Sequence, residues 1–589
     1  MLRHRTRAFV CACLIAATAA CQRAAKSSAP APGPERADAR VRELADAYLE
    51  GFFDRNPDQV TLYGVPGRHH DALPDNSFDA LRTWQAKEDG WLEQAKQITP
   101  ATIEAAPLRG TYAIVREALE SSIAVRVCRY ELWTVSQFVN GWQAQDGYTV
   151  TIQPVGTDEA RREALARWSR LPKYVDTEIA NLREGLKAGY SAPKGNVRIV
   201  IDQIETLIAT PTADSPFDSP SVRDKTLEFT KQFDLLVREQ IVPAFTRYRD
   251  FLKKEYLPAS REAIAVSANP NGAACYDASV RYHSSLPTPA NEVHATGLRE
   301  VEHLDAEMKA IGERSFGTGD VPALLQRVRT EKRYLFRSRE DLIGRSQAAL
   351  ARAKSTMHDW FGLLPKSDVV IQPYPKFREK SGPNEYNPPA EDGSRPAVFF
   401  INAYQAEKKS RVVAESTAFH ETIPGHHLQG AIALERKDIH PVGRYLWNSG
   451  YAEGWALYTE RLADEMKLYS ADLDRLGMLS SQALRAVRLV VDSGIHTLGW
   501  TRQRAIDYML AHTAEDHADV VSEVDRYIIY PGQATAYMLG KLEISKARED
   551  AQQAMGQKFD IKTFHDRVLE DGAIPVSFLH EKIRQWAVK

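Results

Sequence analysis

The sequence predicts a mostly α-helical protein with one small β-sheet. Three observations carry this. Apolar residues recur at three- and four-residue intervals, with charges between them, through most of the chain beyond residue 40, the pattern of helices that turn one face to a core. A single region, residues 368–402, instead holds short β-branched and aromatic runs. No internal repeat and no heptad pattern sustained over many turns is present, so the helices belong to a globular body, not a solenoid or coiled coil. At 589 residues the chain exceeds an average domain, and two lobes, about 41–290 and 291–589, are expected.

The chain opens as an export signal. Arg3, Arg5 and Arg7 precede an apolar run over residues 8–20, which ends in Thr18-Ala19-Ala20-Cys21. So short a run cannot cross about 30 Å of hydrocarbon as a helix, but it suits a secretory leader. Small residues directly before Cys21 predict a lipoprotein signal peptide over residues 1–21, a lipid anchor on Cys21 and a protein facing the periplasm. The alternative is plain secretion after cleavage at an Ala-x-Ala-like site. Residues 22–40, rich in Ala, Ser and Pro, read as a flexible tether. Of five cysteines, Cys11 and Cys13 leave with the leader, and only Cys128 and Cys275 remain in the folded part; one disulfide and two buried thiols both stay open.

Helical periodicity is clearest over residues 41–53, 160–188, 225–256, 290–311 and 322–354. Residues 368–373 and 397–402 are the two expected strands, separated by a Pro-, Asn- and Gly-rich stretch. The second strand is expected either to offer a free edge to an extended peptide, with Asn402 closing that edge over a metal, or to sit in an internal hairpin. A hydrophobic content of 43%, 26% charged residues and a formal charge of −2 are ordinary globular values and give no electrostatic case for nucleic acid.

The chemistry concentrates in His420-Glu421-Thr422-Ile423-Pro424-Gly425-His426-His427. It reads as an HExxH zinc helix, in which two histidines one turn apart chelate the ion and the intervening glutamate is general base, but with two extra residues before the closing histidine. At about 100° per residue an unbroken helix would turn His426 away from His420, and would carry His427 about 10 Å along the axis. Pro424 has no N–H and crowds the preceding turn, and Gly425 tolerates unusual backbone angles. If the pair loops out, His426 becomes the second ligand, with His427 the alternative. Two imidazoles want a third protein ligand and one open position. Glu453, in the helix-compatible run 451–460, is the candidate, and Glu460 the fallback, although it begins a charged stretch that reads as solvent-facing.

The segments HETIPGHHLQ, AEGWALYTE, RLVVDSGIHTLGW and YPGQATAYMLGK resemble the signature blocks of the bacterial lipoprotein family known as domain of unknown function 885. That family is similar to the helical zinc peptidases of the gluzincin type: angiotensin-converting enzyme, thimet oligopeptidase and carboxypeptidase Taq. The resemblance implies a two-lobed, metallopeptidase-like helical fold around the zinc helix, zinc as cofactor, and short peptides as substrate. It also implies a tyrosine as oxyanion donor, for which Tyr530 is first choice and Tyr537 second, beside the Pro531-Gly532 turn. His496, with Asp492 one turn earlier, is expected to donate to substrate or oxyanion, the alternative being a helix-stabilising Asp/His contact. Arg485, Arg488 and Lys541 are candidates for binding a substrate carboxylate. Two other readings use the same residues: a peptide-binding lipoprotein without turnover, and a zinc hydrolase of non-peptide amides.

Overall fold

A computed structural model describes residues 34–374, 379 and 384–588. The leader, Cys21 and most of the expected tether lie outside these residues. The first helix, Pro34–Arg55, starts inside the stretch expected to be tether. Proline is pre-shaped for the first turn of a helix, so Pro34 opens one instead of ending a linker. Helices then account for most of the described chain, and among the described residues none is long and apolar enough to cross a membrane.

Both expected strands form, as β1 (Val369–Pro373) and β3 (Ala397–Ile401), and the loop-like stretch between them supplies a third, β2 (Glu385–Asn387). The sheet order is β1-β3-β2, with β1 parallel and β2 antiparallel to β3. The expectation of a free edge on β3 is therefore wrong, and so is a simple hairpin. Ala397-Val398-Phe399-Phe400-Ile401 is a continuous apolar run, buried at all but one position, and such runs belong in the middle of a sheet. With no free edge on β3, Asn402 closes none. Its N–H donates to Asn384 Oδ1 (2.8 Å) and its Oδ1 accepts from Lys409 Nζ (3.0 Å), which ties the end of β3 to the segment entering β2.

The centre of the molecule is built from long helices, chiefly Ala290–Phe316 against Asp472–Leu498 and Ser449–Glu465 against Ala536–Met555. The second pair touches backbone to backbone. A Cβ added at Gly454 would lie 2.5 Å from the Gly540 carbonyl carbon, and one at Gly540 would lie 1.8 Å from the Gly450 oxygen. This contact matters because Glu453 precedes Gly454 and is set by it.

The two halves of the chain meet across a continuous interior. Tyr276 OH donates to Asp492 Oδ1 (2.7 Å), Asn196 Nδ2 to the Asp525 carbonyl (2.8 Å) and Asn140 Nδ2 to the Ile529 carbonyl (3.3 Å). Cys128 and Cys275 form a disulfide across 147 residues, fastening the helix Gly272–Ser284 to the turn at residues 126–128. Between the halves lies a cavity of about 1750 Å³, lined by Phe138 and Tyr148 from one and by His420, Glu453 and Tyr530 from the other.

Gly540→Ala is expected to lower the free energy of unfolding by about 1–3 kcal/mol, since the helices must part to admit a methyl group. Gly344→Ala, where an added Cβ meets nothing within 4 Å, should be neutral or stabilising by about 0.5–1 kcal/mol. Urea denaturation of the two variants gives the comparison, and equal midpoints would contradict the close approach.

Candidate metal centre

The helix Ala414–Glu421 stops at Thr422, and a second helix, His426–Glu435, starts four residues later. The motif is thus not one helix with a bulge but two helices with a sharp joint. Three hydrogen bonds set it: the Gly425 N–H to the Phe419 carbonyl (3.0 Å), the His427 N–H to the Thr422 carbonyl (2.9 Å) and Trp455 Nε1–H to the Pro424 carbonyl (3.0 Å). The Ile423–Pro424 bond is cis. A Cβ on Gly425 would sit 2.0 Å from the His420 carbonyl oxygen, so no side chain fits there.

The joint turns His420 and His426 toward each other, ring centroids 4.8 Å apart and planes at 89°. Glu453 Oε2 lies 3.2 Å from His426 Nε2 and 3.7 Å from His420 Nε2. Burial works against charge on Glu453, but His426 and His420 beside it more than offset this and hold its carboxyl well below the ordinary range. His427 goes elsewhere. Its Nε2 donates to the Ser367 carbonyl (3.1 Å) and its Nδ1 accepts from Tyr386 OH (3.2 Å), and burial pushes its pKa down to about 4, so it stays neutral. The Tyr386 ring in turn stacks over His426 at 6.5 Å, with Trp447 6.0 Å from the same imidazole.

Glu460 is neither a ligand nor solvent-facing. It is fully buried, and its Oε1 accepts from His420 Nδ1 at 2.9 Å while Gln482 Nε2 donates to its Oε2 at 3.0 Å. A carboxylate on Nδ1 fixes the tautomer that presents the Nε2 lone pair to an ion. Burial opposes the charge of Glu460, and Arg485 and His420 restore it, so its carboxyl titrates below the usual value.

The donor set fits zinc. Bonds of about 2.0–2.2 Å in a tetrahedron separate ligand atoms by about 3.3–3.6 Å, and the two Glu453 contacts bracket that separation. All three ligand atoms lie within 4.8 Å of one another, so the two imidazoles need only a small closing movement. Two imidazoles and one carboxylate leave a fourth position for a reacting group. Glu421, next to His420, faces the same cavity, and burial pushes its carboxyl up to about 7.

The remaining sequence candidates divide cleanly. Tyr530 and Tyr537 line the cavity, as do Arg485 and Arg488. Burial raises the Tyr530 phenol well above its usual value, and its ring meets His283 edge-on at 5.0 Å. His496 is not at the site. It is fully buried, its Nδ1 accepts from the Val266 N–H (2.9 Å), and its Nε2 donates to the Tyr527 carbonyl (3.0 Å). Both ring nitrogens are consumed in fastening two segments of backbone. Nor does Asp492 orient it, because that carboxylate accepts from Tyr276 and from the Gly532 N–H. Lys541 does not line the cavity either. Sequence reasoning missed Arg526, Trp447 and Tyr386. Arg526 stands in the segment searched for tyrosines and was legible there, whereas Tyr386 lies in a stretch that reads as loop and carries no signal.

Fold and site together define a mostly helical protein with a His-His-Glu cluster, its histidines buried and its glutamate half-buried, that could hold a metal ion. The chain belongs to the family of bacterial proteins of unknown function (DUF885), whose model matches residues 57–583. It is similar to a candidate lipoprotein from Colwellia psychrerythraea, with 25% identity and a TM-score of 0.85 over 93% of this chain and 99% of that one. It shares its fold with a candidate lipoprotein of unknown function from Shewanella oneidensis, at 17% identity and a TM-score of 0.72 over 93% of this chain and 100% of that one. No curated protein is a significant match.

Burial drives the His283, His496 and His565 pKa values down to about 3. The unfolded chain takes up these protons near pH 6.5 while the folded chain refuses them, so the stability they confer is intact above pH 6.5 and is lost as pH falls toward 3. Across that window these imidazoles lower the denaturant midpoint as pH falls, against carboxyls such as Glu421, Asp492 and Glu515, which burial raises to about 7 and which act in the opposite sense. His496→Asn should lower stability at neutral pH and flatten part of the acid dependence, and a variant with an unchanged pH profile would contradict the neutral, structural imidazole.

Proposed function

We propose that the protein is a zinc-dependent peptidase of short peptides, exported and anchored by lipid on Cys21. The observation that carries this reading is the convergence of His420 Nε2 and His426 Nε2 on Glu453, with Glu421 beside them in one large cavity. A volume of about 1750 Å³ exceeds the roughly 300–1,000 Å³ of ordinary small-molecule pockets, which favours an extended peptide over a small amide. The candidate-lipoprotein descriptions of both structural relatives support the anchor.

His420, His426 and Glu453 would hold the ion, with Glu460 steadying His420. Zinc bound there supplies Lewis acidity toward water and toward the carbonyl of the scissile amide. The Glu421 carboxylate takes the proton of the attacking water and returns it to the departing amine nitrogen. Tyr530, kept protonated by burial, donates its hydroxyl to the developing oxyanion, and Tyr537 is the second donor on the same wall.

Elemental analysis of the purified protein, with a quenched-peptide library assayed with and without chelator, tests the reading. One zinc per chain and chelator-sensitive cleavage are expected; stoichiometric zinc without cleavage would favour a peptide-binding lipoprotein. Glu421→Gln should keep the metal and lose about 10²–10⁴-fold in kcat. His426→Ala should lose the metal and His427→Ala should retain it, which separates the adjacent histidines. Glu460→Gln should weaken zinc binding about 10- to 100-fold, measured by competition with a chromogenic chelator.

A further inference from the structure

Three guanidinium groups gather on one wall of the cavity. Arg485 and Arg488 lie three residues apart on the helix Asp472–Leu498, Arg526 comes from the helix His517–Ile529, and all three line the cavity. Their Cζ atoms stand 5.9, 4.4 and 5.9 Å from the centre of the Tyr537 ring.

Their acidic partners are few. Arg488 and Arg526 share the single carboxylate of Glu523, Arg488 Nη2 at 2.7 Å from Oε2 and Arg526 Nη1 at 3.0 Å from Oε1. Tyr527 OH also donates to Glu523 Oε2 (2.6 Å), and Gln533 Oε1 accepts from Arg526 Nη2 (2.7 Å). Arg485 makes one long bond to the Ser481 carbonyl (3.3 Å) and stands 3.8 Å from Glu460, a carboxylate already engaged by His420. Glu515 lines the same cavity, but burial holds its carboxyl up to about 7, which weakens it as a counter-charge. Arg488 and Arg526 are 5% and 6% exposed. Among the described residues Arg488 Nη1, Arg526 Nε and Arg485 Nε have no hydrogen-bond partner.

Buried N–H groups of guanidinium left without acceptors cost stability unless a ligand satisfies them. The planar fork suits a carboxylate. Position says which carboxylate. Arg485 is separated from His420 only by Glu460, so an anion held here lies a short stretch of peptide from the scissile bond. We propose that Arg485, Arg488 and Arg526 form the subsite for the terminal carboxylate of a peptide, so that cleavage falls near the C-terminus of the substrate. This rests on the zinc-peptidase reading. Water supplies hydroxide to the carbonyl carbon and a proton to the amine, and the short C-terminal fragment leaves with its carboxylate unchanged.

The test uses N-acetyl tripeptides and tetrapeptides, each prepared as free acid and as C-terminal amide, on the zinc-loaded full chain. The free acid should be cleaved with kcat/KM about 10- to 100-fold above the amide, the fold-change expected for one lost charge-assisted hydrogen bond. Mass spectrometry should find amino acids or dipeptides released from the C-terminus. Arg485→Gln should shrink the acid-to-amide ratio, chiefly through KM, and Arg485→Lys should restore part of it. Equal rates on acid and amide in the wild-type chain would overturn the subsite while leaving the peptidase standing. Should nothing be cleaved, calorimetric binding of the same peptides decides: tighter binding of the acids upholds the carboxylate site without the peptidase, and equal or absent binding overturns it. Because the acid-to-amide comparison needs no substitution, misfolding of a variant does not remove the test.

Discussion

The joint between the helices Ala414–Glu421 and His426–Glu435 is the constraint from which the rest of the centre follows. Without it the two histidines would project to different sides of one rod; with it their rings meet at 4.8 Å. The joint is held from outside as well as within. Trp455, on the helix that bears Glu453, donates to the Pro424 carbonyl, so the element that delivers the Glu453 carboxylate also clamps the turn that aligns the two rings. That helix is itself located by the bare backbone contact of Gly454 with Gly540. Position is thus passed along a chain of contacts, with no long flexible side chain in it to absorb error.

Around the centre, polarity is graded. Glu453 faces both Nε2 atoms, Glu460 takes the far nitrogen of His420, and Gln482 takes the far oxygen of Glu460. His427 points away to steady Tyr386, which then covers His426. The two adjacent histidines therefore do different work: one faces the cluster, and the other positions an aromatic ring from the sheet above it. Buried charges of this kind are tolerable only when each finds partners, and here the partners come from helices far apart in sequence.

Much of this was legible in the sequence, for stated reasons. Helical periodicity gave the class of fold, and the broken HExxH spacing with Pro424 and Gly425 pointed to His420, His426 and Glu453 meeting. What failed did so where tertiary contacts override local spacing. Asp492 and His496 stand one turn apart, which suggests a dyad, yet their partners are Tyr276, Gly532, Val266 and Tyr527. Glu460 precedes Arg461 in a charged run, and only the packing of three helices shows that it is interior. The place of β3 was readable in principle, because an unbroken apolar strand argues for neighbours on both sides, but β2 hides in a segment rich in turn-forming residues.

Cutting one helix into two also creates two new ends. Peptide dipoles leave a partial negative charge where Ala414–Glu421 finishes and a partial positive charge where His426–Glu435 begins. In an uninterrupted helix both histidines would sit mid-rod, where those dipoles cancel along the axis. Here His420 and Glu421 lie at a negative pole, which favours a nearby cation, while His426 opens a positive pole, which favours the carboxylate facing it and any negative charge gathering close by. The same four residues that correct the spacing of the rings therefore give the site a built-in electrical polarity.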